Sequence, residues 1–348
     1  MIGVRWSVPI FIAAGLLAGP TAHGQAAADP LAAPRALVRQ GRYADAVKAL
    51  QPYLAARPGR RGTLVSDVEA ELLLGAAYYG ERDYAAAEAP LRAVLQARPA
   101  DHEAVKLLGL DEYFLGHARS AIPYLAQAAR WLPNQVDLRY LLTVCQIEAG
   151  DTAGARASAA AMLGVPAGTA AAHLALAQVL LRREMKLPAE QELRAALAQD
   201  PRLPLAHFML GEIAIAQGRF AAAVAELRQE IALNPTYARA YYRLGDAEYR
   251  AADLTAAQAA LARAIWLDPT FSGPYILQAK ILLQQNDAAL AERMLARAIG
   301  LDPNNYEAHY LRGRALAALH RDAAAQREFA LSRQLRQPSP ANSAVEVR

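Results

Sequence analysis

Ala240 to Pro269 reads AYYRLGDAEYRAADLTAAQAALARAIWLDP, and this stretch decides the fold. Counted from Ala238, Leu244 and Gly245 fall at the seventh and eighth places, Ala257 at the twentieth, Leu261 at the twenty-fourth and Pro269 at the thirty-second. A leucine beside a bare glycine lets one helix sit against its neighbour's backbone. The small alanine keeps two helices close, and the proline cannot continue the second of them. The stretch therefore predicts a helix, a turn and a second helix.

The same arrangement recurs with a period of 34 residues. Blocks starting at Val68, His102, Val136, Ala170, Pro204, Ala238, Ser272 and Tyr306 put alanine at the twentieth place every time: Ala87, Ala121, Ala155, Ala189, Ala223, Ala257, Ala291 and Ala325. Proline holds the thirty-second place as Pro99, Pro133, Pro201, Pro235, Pro269 and Pro303, and slips by one residue to Pro166 and Pro338. Leu-Gly recurs at Leu74-Gly75, Leu108-Gly109, Leu210-Gly211 and Leu244-Gly245, and the fifteenth place offers Gly116, Gly150, Gly218 and Asn286 for a left-handed turn.

This pattern resembles the tetratricopeptide repeat. The resemblance implies an all-α fold, a right-handed α-solenoid in which stacked helix-turn-helix repeats bury one continuous core that no repeat could bury alone. The expected organisation is a signal peptide over 1–24, a divergent first repeat and loop over 25–67, eight regular repeats over 68–339 and a disordered tail over 340–348. In the divergent repeat Pro34 stands where glycine is usual, which predicts a short first helix, and Arg61 to Asp67 reads as a loop.

Composition agrees with helices packed through small residues. Hydrophobic residues make up 54% of the 348 but aromatic ones only 7%, too few for a β-rich fold. A lone cysteine, Cys145, cannot form an intrachain disulfide and reads as a packed thiol. The net charge of +4, spread along the chain, gives no nucleic-acid footprint.

The first 24 residues carry one charge, Arg5, then an apolar run from Val8 to Ala18, Gly19-Pro20 and small residues around Ala22-His23-Gly24. That is the order of a secretory signal peptide. The run is shorter than the ~20 residues a membrane-spanning helix needs, so an exported chain, periplasmic or secreted and without a membrane segment after cleavage, is expected.

No nucleotide-binding, hydrolase or metalloprotease motif is present, so no enzyme activity, cofactor or metal is expected. His173, His207 and His309 share the fourth place of their blocks. They read as packed side chains rather than metal ligands, since no third ligand accompanies them.

In the family the second, fifth, ninth, twelfth and thirteenth places of each first helix face the groove that holds partners. Helical periodicity sets these places on one stripe opposite the core. They supply Tyr79, Tyr113, Phe114, Tyr140, Phe208, Tyr242, Tyr249 and Tyr310, a concentration of rings that suits binding. The charges are graded. Glu69, Glu103, Asp137 and Glu148 against Lys106 make the early stripe acidic, while Arg182, Arg239, Arg250, Lys280 and Arg314 against Glu212, Asp246 and Glu307 make the later stripe basic. The family's clamp for a C-terminal carboxylate needs asparagines where Leu107, Leu141 and Gln178 stand, which disfavours a chaperone tail. The resemblance implies a non-catalytic scaffold for a protein or peptide partner, in envelope assembly or polysaccharide export by analogy. Direct glycan binding is the alternative, because tyrosine faces flanked by charges also suit sugar rings. Tyr242 and Tyr249, flanked by Arg239, Asp246 and Arg250, form the expected centre of the site.

Overall fold

The computed structural model describes residues 29–56 and 65–336. The expected signal peptide and tail lie outside them. Every regular element among the described residues is an α-helix, and the chain divides into two compact units between Ala167 and Gly168.

The first unit contains α1 (Ala32–Arg39), α2 (Tyr43–Ala55), α3 (Val65–Glu81), α4 (Tyr84–Ala97), α5 (His102–Phe114), α6 (Ala118–Trp131), α7 (Val136–Ala149) and α8 (Thr152–Leu163). The second contains α9 (Ala170–Arg182), α10 (Lys186–Gln199), α11 (Ala206–Ala216), α12 (Phe220–Leu233), α13 (Ala238–Arg250), α14 (Leu254–Leu267), α15 (Ser272–Gln284), α16 (Ala288–Leu301), α17 (Tyr306–Ala318) and α18 (Asp322–Arg336). Odd-numbered helices are the first of each pair and even-numbered ones the second. Within each unit every helix packs against the next, and several first helices also touch the following first helix, α13 on α15 and α15 on α17 among them.

The repeat's small residues do what their places require. An added Cβ on Gly245 would stand 2.8 Å from Leu261 Cγ, and one on Gly211 would stand 2.6 Å from Leu227 Cγ, so the leucine of each second helix seats on bare backbone of its first helix. Ala257 and its seven equivalents are buried, at most 2% exposed. Each second helix followed by an in-phase proline stops two residues before it, as α14 does ahead of Pro269.

Turn geometry repeats more strictly than turn sequence. Gly116, Gly150, Gly218 and Asn286 all have positive φ, and so do Arg82 (64°), Glu184 (59°), Ala252 (65°) and His320 (57°) at the same fifteenth place. These four residues adopt a backbone region that L-residues avoid and glycine enters freely. The next residue often caps the second helix: Asp83, Asp151, Asp253 and Asp287 each accept from a backbone N–H three residues on.

One expectation is corrected. Val65, Ser66 and Asp67 are not loop but the first turn of α3, with Asp67 buried, while residues 61–64 of the expected loop lie outside the described residues. Within the first unit a buried apolar cluster runs from Leu31 to Cys145, and within the second unit buried residues of consecutive repeats pack together, as Leu227, Leu244 and Ala260 do. The divergent α1 is short, eight residues, with Pro34 in its first turn.

Candidate functional site

In the first unit the expected ring stripe is a packed cluster. Tyr79 is 4% exposed, meets Tyr84 edge-on at 5.6 Å and lies 6.3 Å from Phe114. It belongs to the seam between α3 and α5, which corrects its placement on an open face. Burial, then Tyr84, Asp111 and Glu103, pushes its hydroxyl pKa above the ordinary value. Tyr84 stacks on Phe114 at 4.8 Å, and Phe114 meets Tyr113 edge-on at 5.2 Å. Phe114 keeps 42% of its surface exposed, whereas Tyr113 and Tyr140 are half-buried.

Beneath this cluster lies a group that the sequence reading missed. Asp111 is fully buried and neither carboxylate oxygen has a hydrogen-bond partner. Its tenth place holds Ala77, Cys145, Val179, Ile213, Ala247, Ile281 and Ala315 in the other repeats, all apolar. Burial, reinforced by Glu112, Glu88 and Asp83, pushes its pKa up to about 7. Neighbouring Glu112 is also buried but is held by Arg92 at 2.7 Å and by His117 Nδ1 at 2.9 Å.

In the second unit the rings at the fifth place fill seams between repeats. Phe208, 9% exposed, lies 5.1 Å from Tyr237, and Tyr242 meets Phe271 edge-on at 5.0 Å with Arg243 5.7 Å above its ring. Phe208 is therefore a buried contact of α11 rather than a groove residue, and Tyr242 is half-buried. Burial outweighs Arg243 and raises the Tyr242 pKa. Tyr249 accepts from Gln284 Nε2 at 2.8 Å, and its ring packs on the cluster around Ala257 and Leu261. Tyr310, 50% exposed, is the most open ring of the expected stripe in this unit.

Charges on this face are organised in pairs. Asp246, expected in solvent, is 8% exposed and accepts from Arg250 Nε at 2.9 Å. Arg243 reaches from α13 to Glu212 of α11 at 2.7 Å, and Lys280 of α15 reaches Glu307 of α17 at 2.6 Å. Such bridges tie consecutive first helices together. Arg182, Arg239 and Arg314 are exposed and form no salt bridge among the described residues.

The three histidines are bound to carboxylates. Nδ1 of His173, His207 and His309 lies 2.6, 2.7 and 2.6 Å from Glu192, Glu226 and Glu328, each 19 residues further on. The pair links the two helices of one repeat. Its signal, glutamate at the twenty-third place of just those blocks that have histidine at the fourth, is legible in the sequence. Cys145 is buried. No described group of three or more His, Cys, Asp or Glu side chains is placed to hold a metal ion, and no described helix is long and apolar enough to cross a membrane.

Models of the tetratricopeptide repeat match residues 31–102 and 276–339, 115–179 and 238–271, and a model described as a TPR repeat matches 211–251. Among solved structures, MamA protein shares 21% identity over 49% of this chain and 93% of its own, with a TM-score of 0.45. YrrB, described as a TPR protein with an unusual peptide-binding site, shares 18% over 52% of this chain and 93% of its own, at 0.43. The C-terminal part of a TPR repeat-containing protein from Cytophaga hutchinsonii shares 17% over 69% of this chain and 98% of its own, at 0.44. No curated protein matches the sequence.

Proposed function

The chain belongs to the tetratricopeptide repeat family, and from that membership we propose that it is a non-catalytic scaffold that holds an extended polypeptide on its first helices. The observation that carries this reading is the row of bridged side chains in the second unit, Glu212–Arg243 and Lys280–Glu307, which fixes charges and the rings of Tyr249 and Tyr310 on helices already packed. A face held rigid before contact loses little conformational entropy when a partner binds. The leader-like order of Arg5, the apolar run and Ala22-His23-Gly24 supports export, so that the partner is a protein of the envelope or the exterior.

Screening the full chain against a displayed library of extended peptides and against a glycan array tests the reading. Selection of peptides, with at least tenfold weaker binding after Tyr249→Ala and Tyr310→Ala together and unchanged helicity, supports it. Selection of glycans alone replaces it with sugar binding. N-terminal sequencing of the mature protein tests export, with a start expected between Gln25 and Ala28.

A further inference from the structure

The stripe of the second unit, together with Arg243 beside it, carries six cations, Arg182, Arg239, Arg243, Arg250, Lys280 and Arg314, and three carboxylates, Glu212, Asp246 and Glu307. Each carboxylate is held by its own cation: Glu212 by Arg243 at 2.7 Å, Asp246 by Arg250 at 2.9 Å and Glu307 by Lys280 at 2.6 Å. The face's own acids are thereby used up. What remains is one exposed guanidinium in each of three alternate repeats, Arg182 on α9, Arg239 on α13 and Arg314 on α17. Asp268, the acid whose field reaches Arg239, is turned onto Thr270 instead, accepting from its hydroxyl at 2.7 Å and its amide at 3.0 Å.

We propose that the second unit selects an acidic, extended peptide, whose carboxylates pair with Arg182, Arg239 and Arg314. This rests on the polypeptide-binding reading above and adds the charge of the partner. Guanidinium groups are matched to planar carboxylates and hold them through paired N–H donors. With helices roughly 8 to 10 Å apart and an extended chain rising about 3.3 Å per residue, four repeats correspond to a segment of roughly ten to twelve residues. A peptide suits this spacing better than a nucleic acid does, because single guanidiniums in alternate repeats, with first helices roughly 8 to 10 Å apart, leave most phosphates of an unbroken row without a partner. The first unit has the opposite balance: Lys106 is held by Glu103 at 2.7 Å, and Asp137 is exposed with no salt bridge among the described residues.

Fluorescence anisotropy with the full chain tests the proposal, using labelled twelve-residue peptides of alternating glutamate and serine, of glutamine and serine and of lysine and serine, and a twelve-nucleotide single strand. The glutamate peptide should bind at least tenfold more tightly than the glutamine peptide at ~0.15 M salt, with the difference shrinking as salt rises. Arg182→Gln, Arg239→Gln and Arg314→Gln together should abolish that preference. Arg202→Gln, Arg293→Gln and Arg333→Gln, which remove equal charge from exposed positions off the stripe, should leave it intact. Equal binding of glutamate and glutamine peptides, equal loss in both triple variants, or tighter binding of the single strand would each overturn acidic selection while leaving polypeptide binding in place. If no peptide of any charge or library origin binds, the scaffold reading fails and this proposal falls with it.

Discussion

The ring of Tyr242 meets the ring of Phe271 edge-on across the seam between α13 and α15, with centroids 5.0 Å apart. A side chain expected to greet a partner is thus also a spacer between repeats. Tyr242→Ala should lower stability by about 2 kcal/mol, since it removes a half-buried ring and its aromatic contact. Tyr310→Ala, whose ring is half open to solvent, should cost less than about 1 kcal/mol. Urea denaturation followed by circular dichroism separates the two, and equal costs would contradict the packing described for Tyr242.

Asp111 makes the first unit lose stability as pH rises from acid to neutral. Its pKa rises from 3.8 to about 7 on folding, so between those values the folded chain keeps a proton that the unfolded chain has released. Stability should therefore fall as pH climbs through this window and change no further above it. Asp111→Asn keeps the shape without the charge. It should remove about 2 kcal/mol of the loss between pH 5 and pH 8, read from urea midpoints at the two values. A variant as pH-dependent as the parent would place the charge elsewhere.

Ala252 adopts φ 65° at the turn between α13 and α14. Glycine enters that region without a Cβ clash, so Ala252→Gly should raise stability by about 0.5 to 1 kcal/mol despite the greater freedom it gives the unfolded chain. The converse control is Gly218→Ala, at φ 74° with nothing within 4 Å of the added Cβ, which isolates the backbone term. It should cost about 1 kcal/mol. Thermal unfolding of both variants in parallel shows whether the two shifts have opposite signs.

Gly245→Ala should cost about 1 to 3 kcal/mol through overpacking, because its Cβ would stand 2.8 Å from Leu261 Cγ. Adding Leu261→Ala should cost less in this background than in the parent, since the clash is then relieved. A double-mutant cycle measured by urea unfolding gives the coupling, and strict additivity would mean that the two residues do not meet.

The repeat and its phase were legible because they rest on hard sterics. Proline at the thirty-second place, as at Pro269, follows two residues after the second helix stops, and Ala257 is fully buried in a column that holds alanine in every repeat. The outward positions of Arg182, Arg239, Tyr310 and Arg314 follow from helical periodicity for the same reason. Tyr79, Phe208 and Asp246 were misplaced because periodicity describes one helix at a time. Tyr84, Phe114, Tyr237 and Arg250 cover them from another helix or from the next turn, and that depends on how consecutive helices are rotated. Asp111 was visible as the one charged residue in the tenth column, but only a comparison down the column of repeats exposes it. The bridges from Arg243 and Lys280 had no such signal, because sequence distance does not say which long side chains of adjacent repeats meet.

The His173–Glu192, Gly245–Leu261 and Asp253 contacts close within a single repeat, and the Glu212–Arg243 and Lys280–Glu307 bridges reach only the next one. Recombination that adds or removes one whole repeat of 34 residues keeps the contacts inside every remaining repeat, and only bridges at the new junction, such as Glu212–Arg243, change partner. An insertion of any other length inside a helix pair displaces knob, turn and cap together. Within each unit, then, the gene can lengthen or shorten in whole repeats, and its descendants should differ in repeat number before they differ in the spacing inside a repeat.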